Sequence, residues 1–329
     1  MKKRFLLTGI ILLTAISLTA CSPQTTMESD TTFDFVVSAG IPTILYKGDL
    51  YQYHSDCEWK LLEDAGKVKQ IVTAEDLQYL DVNGKLHIEE YMTSMEEAME
   101  ASYKEGVNFP SGAGHYYYLA GKALEANEQH AFEWINGDAT NGLMALLSDG
   151  RILYHDLQDF YTYDFDEEIK ILSGNKILTQ AGDIYRFVLE EPKPLKYEVN
   201  MQKIYDGGDA VYINGWSGFL AGITKEGRAI LWSRYDTPDI SDWENLTSIV
   251  HGNSFVAALT NENKVLYKHY DDEVSLQVEE LVSEWTNIVG IASYFDNIYA
   301  IDKEGNCYGV KIEGLAYGSD NWEVKALDF

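Results

Sequence analysis

Residues 285–310, WTNIVGIASYFDNIYAIDKEGNCYGV, read as three short strands: an apolar run after a tryptophan, a second apolar run, a tight Lys-Glu-Gly-Asn turn, and a third run. Residues 243–270, WENLTSIVHGNSFVAALTNENKVLYKHY, overlay this stretch without a gap. Trp243 and Trp285 each stand 20 positions before the turn residue, Asn263 or Gly305. A unit of this size cannot bury its own apolar face, so a chain that repeats it must stack the copies.

The turn extends the series toward the N-terminus: KGDLYQY at Gly48, NGKLHI at Gly84, AGKALEA at Gly121, SDGRILYH at Gly150, AGDIYRF at Gly182 and KEGRAILW at Gly227. With Asn263 and Gly305 these make eight, spaced 29 to 45 residues apart. Glycine or asparagine supplies the positive φ of a hairpin turn at low steric cost. Short strands at this spacing, with few helix-period patterns, predict an all-β fold: a closed β-propeller of seven or eight short blades. Residues 322–329, WEVKALDF, open a further repeat, whereas residues 35–53 lack a tryptophan start. Pairing of these N- and C-terminal strands is expected to close the ring over residues 33–329 and leave no sheet edge open. One interruption is expected. Ser94-Met95-Glu96-Glu97 resembles a capping box, and Met92, Met95, Met99 and Tyr103 share one helical face. They predict one short inserted helix near residues 94–103, its methionine stripe packed on the propeller wall or docking a partner.

The pattern W-x-x-I/L, then a run such as FVAAL or IYAI, then xxxGxV resembles repeats of the regulator-of-chromosome-condensation type of β-propeller, best over residues 199–314. The usual Gly-x-Asn segment after the last strand is missing here. The resemblance implies seven blades, against eight by the count of turns. It also implies binding to another protein, as in the secreted inhibitor propellers, although none of their contact residues transfers to positions in this chain.

Residues 1–20 carry Lys2, Lys3 and Arg4 followed by an apolar run too short to span a bilayer. Leu18-Thr19-Ala20-Cys21 matches a bacterial lipobox, so residues 1–20 read as a lipoprotein signal peptide and Cys21 as the lipidated residue. Residues 21–32 are a polar, flexible tether. The expected product is a monomer held by acyl chains to the bacterial cell membrane, facing outside the cytoplasm. Loss of the three basic residues moves the formal charge from −28 to −31, 22 basic against 53 acidic. Such a surface repels nucleic acid and anionic head groups. The expected partner is an extracytoplasmic protein or peptide, with the membrane reached through the anchor alone. Cys57 and Cys307 fall in the first and last repeats, as free thiols or as a disulfide across the seam.

No GxSxG elbow, P-loop or dinucleotide fingerprint is present, so no catalytic residue is assigned and a non-catalytic module is expected. His54, His155 and His269 recur five or six positions after their turns, as equivalent strand ends in three blades, without the HExxH or CxxC of a zinc site. Acidic residues follow the repeats: Asp236, Asp239, Asp242 and Glu244; Asp156, Asp159, Asp164, Asp166, Glu167 and Glu168; Asp271, Asp272 and Glu273. A propeller is expected to gather them on one rim. They read as a solvated rim, as a weak calcium site at the first group, or as paired carboxylates of a polysaccharide hydrolase or lyase. No other cofactor is indicated. Trp243, Trp285 and Trp322 keep one register as inter-blade core. Trp216, in NGWSGF, and Tyr116, Tyr117 and Tyr118 stand outside it, as core or as flat faces for a sugar or peptide.

Overall fold

The computed structural model describes residues 33–327 apart from 39–40, 54–58, 63–67, 73–77, 89–93, 105–112, 137–143, 156–159, 194–195, 217, 235–236 and 315–321. The described residues form seven antiparallel sheets and three helices. Sheet one holds β1 (Phe33–Ser38), β2 (Ile41–Tyr46), β3 (Asp49–Tyr53) and β4 (Trp59–Leu61). Sheet two holds β5 (Val68–Val72), β6 (Gln78–Asp81) and β7 (Leu86–Ile88), and is followed by α1 (Met95–Lys104) and α2 (Ala113–Gln129). Sheet three holds β8 (Phe132–Asn136), β9 (Met144–Leu147), β10 (Ile152–His155) and β11 (Phe160–Tyr163). Sheet four holds β12 (Ile169–Ser173), β13 (Lys176–Thr179), β14 (Ile184–Lys193) and β15 (Lys196–Tyr205). Sheet five holds β16 (Ala210–Trp216), β17 (Phe219–Thr224) and β18 (Ala229–Ser233). Sheet six holds β19 (Leu246–His251), β20 (Phe255–Thr260) and β21 (Val265–His269), and α3 (Asp272–Ser283) follows it. Sheet seven holds β22 (Ile288–Tyr294), β23 (Asn297–Asp302), β24 (Cys307–Gly314) and β25 (Trp322–Ala326).

Seven of the eight expected turns link the second strand of a sheet to its third. Gly48, Gly84, Gly150, Gly182, Gly227, Asn263 and Gly305 all have positive φ, from 61° to 91°. The eighth is corrected: Gly121 lies inside α2. Leu119, Ala123 and Ala126 sit at helical spacing and are buried. Ala123 and Ala126 pack with Leu80, Leu86 and Phe132 of sheets two and three. A mid-helix glycine costs about 1 kcal/mol, and this burial outweighs it.

Each sheet meets the next. Val68 N–H donates to Gly48 O across the first seam, at 3.1 Å, and Phe132 N–H to Gly84 O across the second, at 3.2 Å. Trp134 Nε1 reaches Leu172 O at 3.0 Å between sheets three and four. Ala210 N–H bonds Gly182 O at 3.1 Å, Leu246 N–H bonds Gly227 O at 2.9 Å, and Asn253 N–H bonds Phe295 O at 3.1 Å. Sheet seven meets sheet one through Trp59 Nε1–H and Gly305 O, 2.8 Å apart and 246 residues distant in sequence. Between the same two sheets Val37 packs with Ala292 and Tyr299.

The expected composite blade is not formed: β25 pairs with β24 and completes sheet seven, while sheet one is built from β1–β4 alone. The last and first sheets meet by side-chain packing and the Trp59 bond instead of by a shared ladder. Trp243 is buried among Phe219, Ile223 and Leu246 between sheets five and six, and Trp285 packs beside Tyr308 between sheets six and seven, as inter-blade core. Helices cover the open edges of two three-stranded sheets: α2 lies on β7, and α3 lies on β21 through Val274, Val278 and Val282. A covered edge cannot recruit a foreign strand. The helix expected near residues 94–103 is present as α1, with Ser94 Oγ accepting Glu97 N–H at 3.2 Å. Its stripe is reversed. Ala98 and Ser102 are buried, while Met99 and Tyr103 are 51% and 83% exposed; Met92 lies outside the described residues.

Candidate binding sites in the central channel and on the hairpin face

Antiparallel alternation fixes two faces. The Gly and Asn turns and the starts of the first strands share one face. The connections from first to second strand, and the ends of the third strands, share the other, here called the hairpin face. The first strands line a common channel of about 440 Å³, to which every sheet contributes: Val36, Ile71, Ile135, Leu172, Ile213, Ser248 and Gly290 stand one from each. In six sheets the first strand bulges two residues into its ladder, for example between Leu246 and Ser248. A bulge bends the strand and re-aims the side chains after it.

Most polar side chains of the wall are committed to neighbours. Gln70 Nε2–H donates to Ile135 O at 2.8 Å while its Oε1 accepts Ile135 N–H at 3.1 Å. Ser173 Oγ accepts Gly215 N–H at 2.9 Å. Thr247 Oγ1–H donates to Leu259 O at 3.2 Å. Asp34 of β1 is exposed to the channel yet surrounded by protein on most sides, and this desolvation raises its carboxyl above the usual range. Tyr212 of β16 is pushed up too, by burial and then by the charge of Asp34.

The hairpin face carries an aromatic patch at sheets six and seven. Phe295 is 54% exposed and Tyr270 is 40% exposed. One turn joins them: Asn253 N–H donates to Phe295 O, and Tyr270 N–H donates to Ser254 O, both at 3.1 Å. Tyr294 meets Phe295 edge to face at 4.7 Å. Phe295 has φ 52°, a left-handed conformation that is sterically costly for a bulky side chain.

Beneath the patch, Ser254, His269 and Asp296 make the three-residue contact that an acyl-transfer enzyme would need, wired the other way. His269 Nδ1 accepts Asp271 N–H at 2.9 Å, so Nε2 carries the proton toward Ser254 Oγ, also at 2.9 Å. Ser254 Oγ–H in turn donates to Asp296 Oδ1 at 2.6 Å. A hydrolytic imidazole must accept the serine proton; this one donates, and it is 2% exposed. Burial lowers its pKa despite nearby carboxylates. His155 and His269 do end the third strands of two sheets, as the repeat implied, and His54 lies outside the described residues.

The other expected sites fall as follows. Tyr117 and Tyr118 lie on α2, not on a strand; Tyr118 is buried against His155 at 6.1 Å and beneath Lys122. Trp216 ends β16, and the side chains of Trp216, Tyr116 and Trp322 lie outside the description. Asp239 accepts Ser241 N–H at 3.0 Å, and this bond lowers its carboxyl below the usual range. Asp236 lies outside the described residues, and among those described no three Asp, Glu, His or Cys gather as metal ligands. The acidic groups share one rim only in part: Asp239 and Asp242 line one pocket with Asp272 at the hairpin face. Asp271–Glu273 follow a third strand at the hairpin face, whereas Asp164–Glu168 follow the fourth strand β11 at the opposite face. Asp156 and Asp159 are outside the description. Burial pushes the Cys307 thiol up, with Asp302 adding to it, so it stays protonated; Cys57 and Cys21 are outside the described residues. Among the described residues no helix is long and apolar enough to cross a membrane.

No protein-family model matches the sequence, and no curated protein matches it. Several solved structures are similar. One is PorZ, an essential bacterial surface component of the type-IX secretion system of Porphyromonas gingivalis, with 12% identity and TM-score 0.40, covering 92% of this chain and 39% of that one. A chain in the crystal structure of Kap60 bound to yeast RCC1 (Prp20) has 11% identity and TM-score 0.41, covering 75% and 68%. BamB from Moraxella catarrhalis has 11% identity and TM-score 0.36, covering 84% and 81%. This chain therefore spans well under half the length of PorZ. At these scores the likeness assigns no residue, ligand or partner, and the β-propeller fold rests on the seven sheets and their seams.

Proposed function

We propose that this chain is a non-catalytic, lipid-anchored binding module: a closed, seven-bladed propeller outside the cytoplasm that presents its hairpin face to a protein or peptide. The observation that carries the reading is Phe295. It is a large apolar side chain, exposed, and held at a positive φ that asparagine or glycine would occupy with less strain. A costly conformation kept at an exposed position is the usual signature of a recognition residue. Tyr270 and Tyr294 extend the same patch. The inverted Ser254–His269–Asp296 wiring favours binding over acyl-transfer chemistry, and the Leu18–Cys21 motif with its polar tether supports presentation at a membrane.

Phe295→Asn tests it. The substitution removes the aromatic contact and relieves about 1 kcal/mol of backbone strain. The variant should melt at or above the wild-type temperature and should lose a partner that the wild-type protein captures from envelope extracts of its source cell. Capture of the same partner by the variant, or of none by the wild type, contradicts the proposal.

A further inference from the structure

We infer that the central channel is a binding site for an organic cation, a primary amine or guanidinium, held by the Asp34 carboxylate. The inference does not depend on docking at Phe295, because the channel runs through the middle of the ring and its described lining comes from the first strands, with Leu259 of β20 beside them.

Three observations carry it. First, Asp34 is the only carboxylic acid in the described lining, and no lysine, arginine, histidine or glutamate stands with it. Second, no hydrogen bond or ion pair joins the Asp34 side chain to any described residue, although Gln70, Trp134, Ser173 and Thr247 around it are bonded across or within the sheets. The carboxyl faces the channel, exposed there but partly desolvated by the surrounding wall, and a cationic ligand would supply the charge partner that no described side chain provides. Its raised pKa reports the same desolvation. Third, Phe35, Trp134 and Tyr212 bring aromatic surfaces to the same channel. Faces of this kind attract ammonium and guanidinium groups, most strongly where water is scarce.

Size and ligand number narrow the chemistry. A volume near 440 Å³ lies within the range of small-molecule sites, about 300–1,000 Å³, and suits a diamine or one lysine or arginine side chain. A lone carboxylate does not serve calcium, which takes about six to eight oxygen ligands. The strongly negative chain, −28 overall, draws cations toward the opening.

Calorimetry on the full chain tests the site with three probes: 1,4-diaminobutane, Nα-acetyl-lysine N-methylamide, and the uncharged norleucine analogue of the latter. At least one cation should bind while the norleucine compound gives no heat. Asp34→Asn should weaken the cation by at least about tenfold, the loss expected for a hydrogen bond to a charged group. Diamine binding alone identifies a free polyamine ligand; binding of the lysine derivative identifies a basic side chain delivered by a partner. Amide shifts at Asn214 and Gly290 on adding the bound cation place it in the channel without any substitution. No binding by either cation, equal binding by the norleucine control, an unchanged Asp34→Asn variant, or shifts confined to the outer surface overturns the inference.

Discussion

Gly150 and Gly182 occupy the same turn position in adjacent sheets, with φ of 89° and 91°, and differ in what surrounds them. A Cβ built at Gly150 meets nothing within 4 Å. At Gly182 it would stand 2.6 Å from Gly208 C, 2.7 Å from Asp209 N and 2.8 Å from Gly208 O, the backbone that leads into sheet five. Gly150→Ala should therefore cost only the strain of an alanine at positive φ, about 1–2 kcal/mol, offset by several tenths from a stiffer unfolded chain. Gly182→Ala adds a rigid backbone clash. Relief by parting the two sheets costs about 1–3 kcal/mol of packing and weakens the bond from Ala210 N–H to Gly182 O, worth about 1 kcal/mol. The two variants should differ by about 2 kcal/mol or more, roughly 4 °C in melting temperature for a ring of this size. Urea unfolding of both beside wild type measures it. Equal losses within about 0.5 kcal/mol would show that the turn of one sheet does not abut the next, and the seam geometry would be wrong.

Two further predictions concern single side chains. His251 is buried at the end of β19, donates Nδ1–H to Gly252 O at 3.3 Å, and has its pKa pushed down to about 3, first by burial and then by the Lys176 charge. Its neutral form belongs to the folded state, so this contribution is whole above pH 6.5 and is lost as pH falls from 6.5 toward 3. The loss is about 2 kcal/mol between pH 7 and pH 5, and His251→Asn should remove it; parallel urea curves for the two proteins at both pH values would count against it. Asp271 caps α3 by accepting the N–H groups of Glu273 and Val274 at 2.9 and 3.1 Å. Asp271→Ala should cost about 1 kcal/mol and Asp271→Asn far less, and equal melting temperatures for the pair would refute the cap.

The repeat was legible because its punctuation is physical. Each true turn needs positive φ, and seven of the eight residues read as turns have it. A finer signal lies beside it. Asp81, Thr179, Thr224, Thr260 and Asp302 each stand three residues before the turn residue, and each side chain accepts the backbone N–H of the residue just past it. The false turn at Gly121 has Tyr118 in that place. An Asp or Thr in that place marks five of the seven true turns, while the apolar spacing of Leu119, Ala123 and Ala126 marks the helix around Gly121. The same mark is missing at Gly48 and Gly150, which follow Leu45 and Leu147. The sites were less legible. Trp216 and the tyrosines drew notice by type, but Tyr118 proved buried because it lies on a helix. Asp34 was one acid among 53 until the other six inner strands were placed around its own. Phe295 was hidden because its exposure and positive φ belong to a two-residue connection whose geometry no periodicity encodes.

Closure of the ring at the seam between the seventh and first sheets is tested most directly by nuclear Overhauser effects in a deuterated, methyl-labelled sample. Val37, Ala292 and Tyr299 form one buried cluster there, although Val37 lies more than 250 residues from the other two. Cross-peaks from the Val37 methyls to the Ala292 methyl or the Tyr299 ring are the predicted result, together with slow exchange of the Trp59 indole N–H that bonds Gly305 O. Val37 cross-peaks confined to its own sheet, with a freely exchanging Trp59 indole, would mean an open arc.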